Sequence, residues 1–157
     1  MLELFNWLSG SALAQTLTMS PRLYMFVNAA HILSIGILVG AIIPLDLRVL
    51  GFFRSVPLNI IGPFLSQTAM VGTALTVAFG VMLFSVRTKE YAANPAFLAK
   101  MALLALGVAN ALLFQVFAPW RQRPVQNCPT ALVRVMAGLS LVTWISAVIA
   151  GRWIGFV

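Results

Sequence analysis

Residues 23–45, LYMFVNAAHILSIGILVGAIIPL, run for 23 positions without an acidic side chain, a lysine or an arginine. At 1.5 Å of rise per residue a helix of that length reaches about 35 Å, enough to cross the roughly 30 Å hydrocarbon core of a bilayer. Backbone amides in lipid must bond to one another, so the stretch is predicted to be a membrane-spanning helix. Three further runs are long and apolar, at 64–86, 96–117 and 131–149, the last two interrupted by Lys100 and Arg134. Helix-entry chemistry stands near the starts of three of the four spans: Ser20-Pro21, Asn94-Pro95 and Pro129-Thr130 supply a capping side chain or a proline where the first amides have no partner.

Composition agrees. The 157 residues are 61% hydrophobic and 8% charged, more apolar surface than one soluble core of this size can hide. The net charge of +7 comes from arginines and lysines scattered singly at the ends of the apolar runs, where they meet lipid headgroups. Nucleic acid is therefore not an expected partner; the bilayer is. Cys128 is the lone cysteine, which excludes an intrachain disulfide and a thiolate cluster.

Met1 to Ser20 opens with Glu3 and lacks the order of a cleaved signal peptide, so the N-terminus is expected to be retained. Leu4, Phe5, Leu8 and Leu13 recur at helical spacing beside Asn6, Ser9 and Gln15, the pattern of a short amphipathic helix lying along the interface over residues 1–18. The connections between spans are short, so successive helices are predicted to be antiparallel neighbours. The expected architecture is an all-α membrane protein, one domain over 1–157, with four transmembrane helices in an up-down bundle. Both termini then share one side. That side holds Arg22, Arg87, Lys89, Lys100 and Arg152 and the other Arg48, Arg54, Arg121, Arg123 and Arg134, a tie of five against five that leaves orientation open.

Small residues recur where helices in lipid need close approach. Gly36 and Gly40 form a GxxxG in the first span, and Thr68, Gly72, Thr76 and Gly80 repeat every fourth residue in the second. Both sets are expected to be packing seams, with a bulky residue at Gly72 or Gly36 loosening the bundle. On a helical wheel Ala29, Gly36 and Gly40 lie nearly opposite His31, so the first span has one face for the bundle and another for a second subunit.

His31 is the one histidine and falls near mid-membrane, where a polar group is costly unless partnered. Asn28 and Ser34 extend its stripe, and Thr76, Thr143 and Trp144 are expected at the same depth, together a small polar pocket. The functional readings are an axial ligand to haem b, a quinone contact or a proton relay; the structural reading is a neutral imidazole satisfied by a hydroxyl. A bis-histidine haem is impossible in one chain, and Met82 and Met101 lie nearer the terminal side. Asp46, Arg48 and Arg134 are expected to converge as an ion-pair cluster at the far end of the first span, with Lys100, Glu90 and Arg152 as a looser set on the terminal side. Asn110 and Gln115 read as interhelical glue, Trp120 and Trp153 as interface anchors, and Trp144 as an interior packing residue. Enzymatic templates are missing: one histidine forbids HExxH, no glycine-rich phosphate loop is present, and Glu3, Asp46 and Glu90 are the only acids. No metal site is expected.

The blocks SPRLYMFVNAAHILSIGILVGAIIPLDLRVLG, YAANPAFLAKMALLALGVANALLF and RVMAGLSLVTWISAVIAGRWIG resemble a family of uncharacterised bacterial four-span membrane proteins, and more distantly the membrane domain of copper-resistance D-type proteins. The resemblance implies a fold, a bacterial inner-membrane location and a set of family positions, His31, Asp46, Arg48, Asn94, Pro95, Lys100, Asn110, Arg134, Trp144, Gly151 and Arg152, without an activity. Such proteins often carry a second histidine where this chain has Gln115, which weakens a two-histidine haem or metal site. The leading expectation is a non-catalytic subunit packing with itself or in a larger, possibly respiratory, membrane complex. The alternatives are a b-type haem or quinone electron-transfer subunit built on His31, and a small-solute or metal-ion permease.

Overall fold

The computed structural model describes residues 7, 9–118 and 129–156, and among them there are helices and no strand. Helix α1 covers Ala12–Met19, α2 Pro21–Leu50, α3 Leu58–Val86, α4 Thr88–Ala93, α5 Pro95–Phe117 and α6 Ala131–Trp153, followed by a 3-10 turn at Ile154–Phe156. Four of these, α2, α3, α5 and α6, are long and apolar enough to cross a membrane. The chain is thus built as a multi-pass membrane protein.

The capping residues act as their chemistry requires. Asn94 Oδ1 accepts from the amides of Ala96 and Phe97 at 2.9 and 3.2 Å, Ser20 Oγ from Leu23 at 3.4 Å, and Thr130 Oγ1 from Val133 at 3.5 Å. Three boundaries extend well beyond the expected spans, among them the end of α6, at Trp153 rather than 149. Pro44 and Pro63 both lie inside helices, so α2 runs on to Leu50 and α3 begins at Leu58 rather than 64. Proline is tolerated there because neighbouring helices and side chains absorb the lost backbone bond. Gly51 closes α2 with φ of 111°, a left-handed conformation that suits glycine, and the Gly51 and Phe52 amides return to the Leu47 carbonyl.

The N-terminal expectation is refined. Helix α1 starts at its Ser11 cap and buries Ala14 and Leu17, packing against α3 and α2. Leu4, Phe5, Asn6 and Leu8 lie outside the described residues, as do Trp120, Arg121, Arg123 and Cys128. The second connection between spans holds the unanticipated α4, whose Tyr91 stacks with Phe84 and Phe97 at centroid distances of 6.4 and 5.5 Å. Burial first, then the neighbouring Tyr24, holds the Tyr91 phenol above its usual range.

The bundle is assembled as two tight pairs. Helix α2 packs along α3, α5 along α6, and α2 against α6 joins the pairs. Core side chains sit at those seams: Leu45, Val49, Leu58, Phe114, Val133 and Ala137 at one end, Leu38, Ala41, Ile42, Ala69 and Trp144 further in. Outward-facing Phe26, Leu33, Leu112, Val116 and Val142 are exposed, which suits lipid and not water. The remaining side, between α3 and α5, is a cleft.

Candidate functional site

The cleft encloses about 250 Å³ and draws its walls from all four long helices. Helix α3 contributes Ser66, Ala69, Met70 and Ala74, and α5 contributes Asn110, Leu112, Phe114 and Gln115. Behind them, α2 presents Asp46 and α6 presents Ser140 and Trp144. Gln115 Nε2 donates to Ser66 Oγ, tying α5 to α3 across this side of the bundle. Met70, Ala74 and Leu112 are the exposed members of the lining.

Its polar groups differ in how well they are satisfied. Asn110 is buried, and its Nδ2 donates to the Met136 carbonyl at 3.1 Å, the bond between helices expected of it. Replacing Asn110 with Ala is expected to cost about 1 kcal/mol, the usual worth of an interhelical hydrogen bond in a membrane protein; denaturation in mixed micelles measures it. Asp46 is 3% exposed and receives a hydrogen bond from Ser140, yet its Oδ2 has no partner. Trp144 is 2% exposed, as expected of an interior residue, and its Nε1 likewise has no partner.

The expected ion-pair cluster does not form. Arg48 is buried, but its Nε donates to the Val56 carbonyl at 2.6 Å and its Nη2 to the Arg54 carbonyl at 3.5 Å. The guanidinium therefore fastens the connection after α2, while Arg134 is exposed on the first turn of α6. The reason lies in helix geometry: Asp46 and Arg48 are two residues apart on one continuous helix, about 200° around its axis, so they face different surroundings. The looser terminal-side set also separates. Glu90 pairs with Arg87 at 3.3 Å, Arg152 lies 4.7 Å over the Phe156 ring, and Lys100 rests against Gly151. The pair from Arg87 to Glu90 is the one salt bridge among the described residues and is exposed.

His31 is half-buried, beside the Thr76 backbone carbonyl and within the electrostatic reach of Lys100, and its Nδ1 has no hydrogen-bond partner. A methyl group at Gly80 would stand 3.2 Å from its Cε1, so that glycine makes room for the ring. Thr76 Oγ1 donates to Ser34 Oγ at 3.2 Å, and Ser34 Oγ to the His31 carbonyl at 2.8 Å. The four residues read as one pocket divide: Thr76 stays with His31, whereas Trp144 lines the cleft and Thr143 packs beside Gly107. Equal counting depth along two helices does not place two side chains on the same face.

The glycines separate as well. A methyl at Gly72 would meet Leu38 N at 2.7 Å and Leu38 Cα at 2.8 Å, which marks the seam between α2 and α3. At Gly36 and Gly40 it would meet nothing within 4 Å. The GxxxG of α2 therefore lies on the outer surface and is not a seam within this chain.

A family model described as a family of unknown function, DUF6644, matches residues 4–157. The chain belongs to this family. No curated protein and no solved structure matches it. Family membership supplies no activity, so function has to be argued from the cleft, the half-buried His31 and the bare glycine face. Sequence reasoning named Asp46 and Trp144 separately and missed that they share one cleft. The signal available was their residue type, a carboxyl and an indole N–H deep in apolar helices.

Proposed function

We propose that this member of the family is a non-catalytic subunit of a bacterial inner membrane that works by assembling with copies of itself through the outer face of α2. The open space over Gly36 and Gly40 carries this reading. Glycine in a helix interior costs about 1 kcal/mol relative to alanine, and within this chain neither residue has a neighbour that requires it. In lipid, helices associate by close van der Waals contact, and small residues four apart let a second helix backbone approach. A symmetric dimer through this face places the same glycines against each other.

The double variant Gly36→Leu/Gly40→Leu tests it, because both positions are exposed and a Cβ at either meets nothing within 4 Å among the described residues. The wild type is expected to run as a defined oligomer in mild detergent by light scattering, and the double variant as a monomer with unchanged helicity. A monomeric wild type in detergent and in nanodiscs, or an unaltered oligomer in the variant, removes the proposal.

The electron-transfer alternative at His31 draws no support from the packing, since Gly80 closes on one edge of the ring and the cleft is lined without it. No observation favours the permease alternative.

A further inference from the structure

Two residues that line the cleft between α3 and α5 each carry a buried polar atom without a partner, Asp46 Oδ2 and Trp144 Nε1. We infer that it is a binding site for a neutral amphiphile whose head carries a hydroxyl group, entered sideways from the bilayer. An unsatisfied polar group in an apolar interior costs several kcal/mol, so two of them lining one cleft mark a place that a ligand completes.

Hydrogen-bond chemistry narrows the class. The indole N–H only donates, whereas a carboxyl oxygen keeps a lone pair to accept with, whether or not the group carries a proton. A head that meets both accepts from Trp144 and either donates to Asp46 as a carboxylate or accepts from it as a carboxylic acid. A hydroxyl does so with a single oxygen in either case, whereas an ether or ketone, which only accepts, serves only the acid, and an ammonium, which only donates, leaves the indole unmet. Among the described residues no cation takes the ligand's place, because Arg48 is occupied by the carbonyls of Val56 and Arg54 and Arg134 is exposed. Ser140, bonded to Asp46, holds the carboxyl at the back of the cleft.

The rest of the lining is hydrocarbon. Ala69, Met70, Ala74, Leu112 and Phe114 suit an isoprenoid or acyl body, and the exposed Met70 and Leu112 let its remainder extend into lipid. About 250 Å³ accommodates the head and the first part of such a chain. The site is independent of the outer face of α2, so either reading stands or falls alone.

Tritiated farnesol is the probe, added to the full chain in phosphatidylcholine nanodiscs and read by scintillation proximity. Saturable binding is expected, with farnesyl methyl ether, unable to donate, competing about tenfold less well, the worth of one hydrogen bond. Trp144→Phe, which keeps the bulk and removes the N–H, is expected to weaken farnesol about tenfold, and Asp46→Leu by at least as much. Ala74→Trp, which fills the cleft without touching either polar group, should abolish saturable binding while the thermal midpoint holds. Equal competition by the ether, or an unchanged Trp144→Phe, overturns polar recognition of a hydroxyl. Tighter competition by farnesylamine makes the site one for a cation and likewise overturns the assignment. Partitioning without saturation means that water alone satisfies the two groups, and the inference is then wrong.

Discussion

Gly72→Ala is expected to destabilise the protein by about 3 kcal/mol, the upper range for a methyl forced into a packed seam. The added carbon would stand 2.7 Å from Leu38 N and 2.8 Å from Leu38 Cα. Both are backbone atoms inside a long helix, so neither can swing aside as a flexible side chain does. Relief requires α2 and α3 to separate, and theirs is the most extensive pairing in the bundle. The loosening would reach Leu38, Ala41 and Ala69, which pack together at that level. Unfolding by SDS titration in mixed micelles measures the loss. Gly138→Ala, on α6, is the matched control, with no atom within 4 Å to meet the new methyl. A Gly72→Ala protein within about 0.5 kcal/mol of wild type, the ordinary range for an inconsequential change, would show that the two helices do not pack as described.

Arg48→Ala is expected to cost about 2 to 3 kcal/mol, in keeping with hydrogen bonds from a charged donor. Arg48 is buried at the end of α2 and reaches over the turn that follows, donating to the carbonyls of Val56 and Arg54. Arg54 in turn donates from Nε to the Gly51 carbonyl at 3.0 Å, so two guanidiniums organise the connection between α2 and α3. Without Arg48 those carbonyls near the bilayer surface lose their donor, and the start of α3 loses its anchor. Hydrogen exchange should therefore rise at residues 51–60 before the bundle as a whole is affected. Lysine should not restore protection, since one ammonium cannot reproduce the separated donors of a planar guanidinium. Arg134→Ala, at an exposed position, is expected to change stability by less than about 0.5 kcal/mol. Equal effects at Arg48 and Arg134 would contradict the division of roles between them.

The four spans were readable from the chain because each is a local property: some 20 apolar residues with a cap or proline at the start commit the backbone to a helix in lipid whatever lies next to it. Ser20, Asn94 and Thr130 behaved accordingly. The first span was expected to end at 45 and the second to begin at 64, whereas α2 runs on to Leu50 and α3 already begins at Leu58 with Pro63 inside it, a position that a membrane helix tolerates. Asn110 and Gln115 were legible as bridging amides, for a carboxamide in lipid has few other fates.

Relations between helices were another matter. Periodicity places Gly36 and Gly72 alike in small-residue stripes, and only the assembled bundle presses Gly72 on Leu38 while leaving Gly36 bare. Counting depth sets His31 and Trp144 level, but rotation about each helix axis turned one toward Gly80 and the other toward Asp46 and the cleft. Charge pattern suggested that Asp46 and Arg48 would pair, and their angular separation on α2 sent one inward and the other to the connecting turn. Hydrophobicity and capping depend on residues near one another in the chain, so the spans and their entries follow from composition and order alone. Which faces meet, and which polar atoms are left without partners, depends on helix rotation and pairing, which no single span encodes and which packing in three dimensions decides.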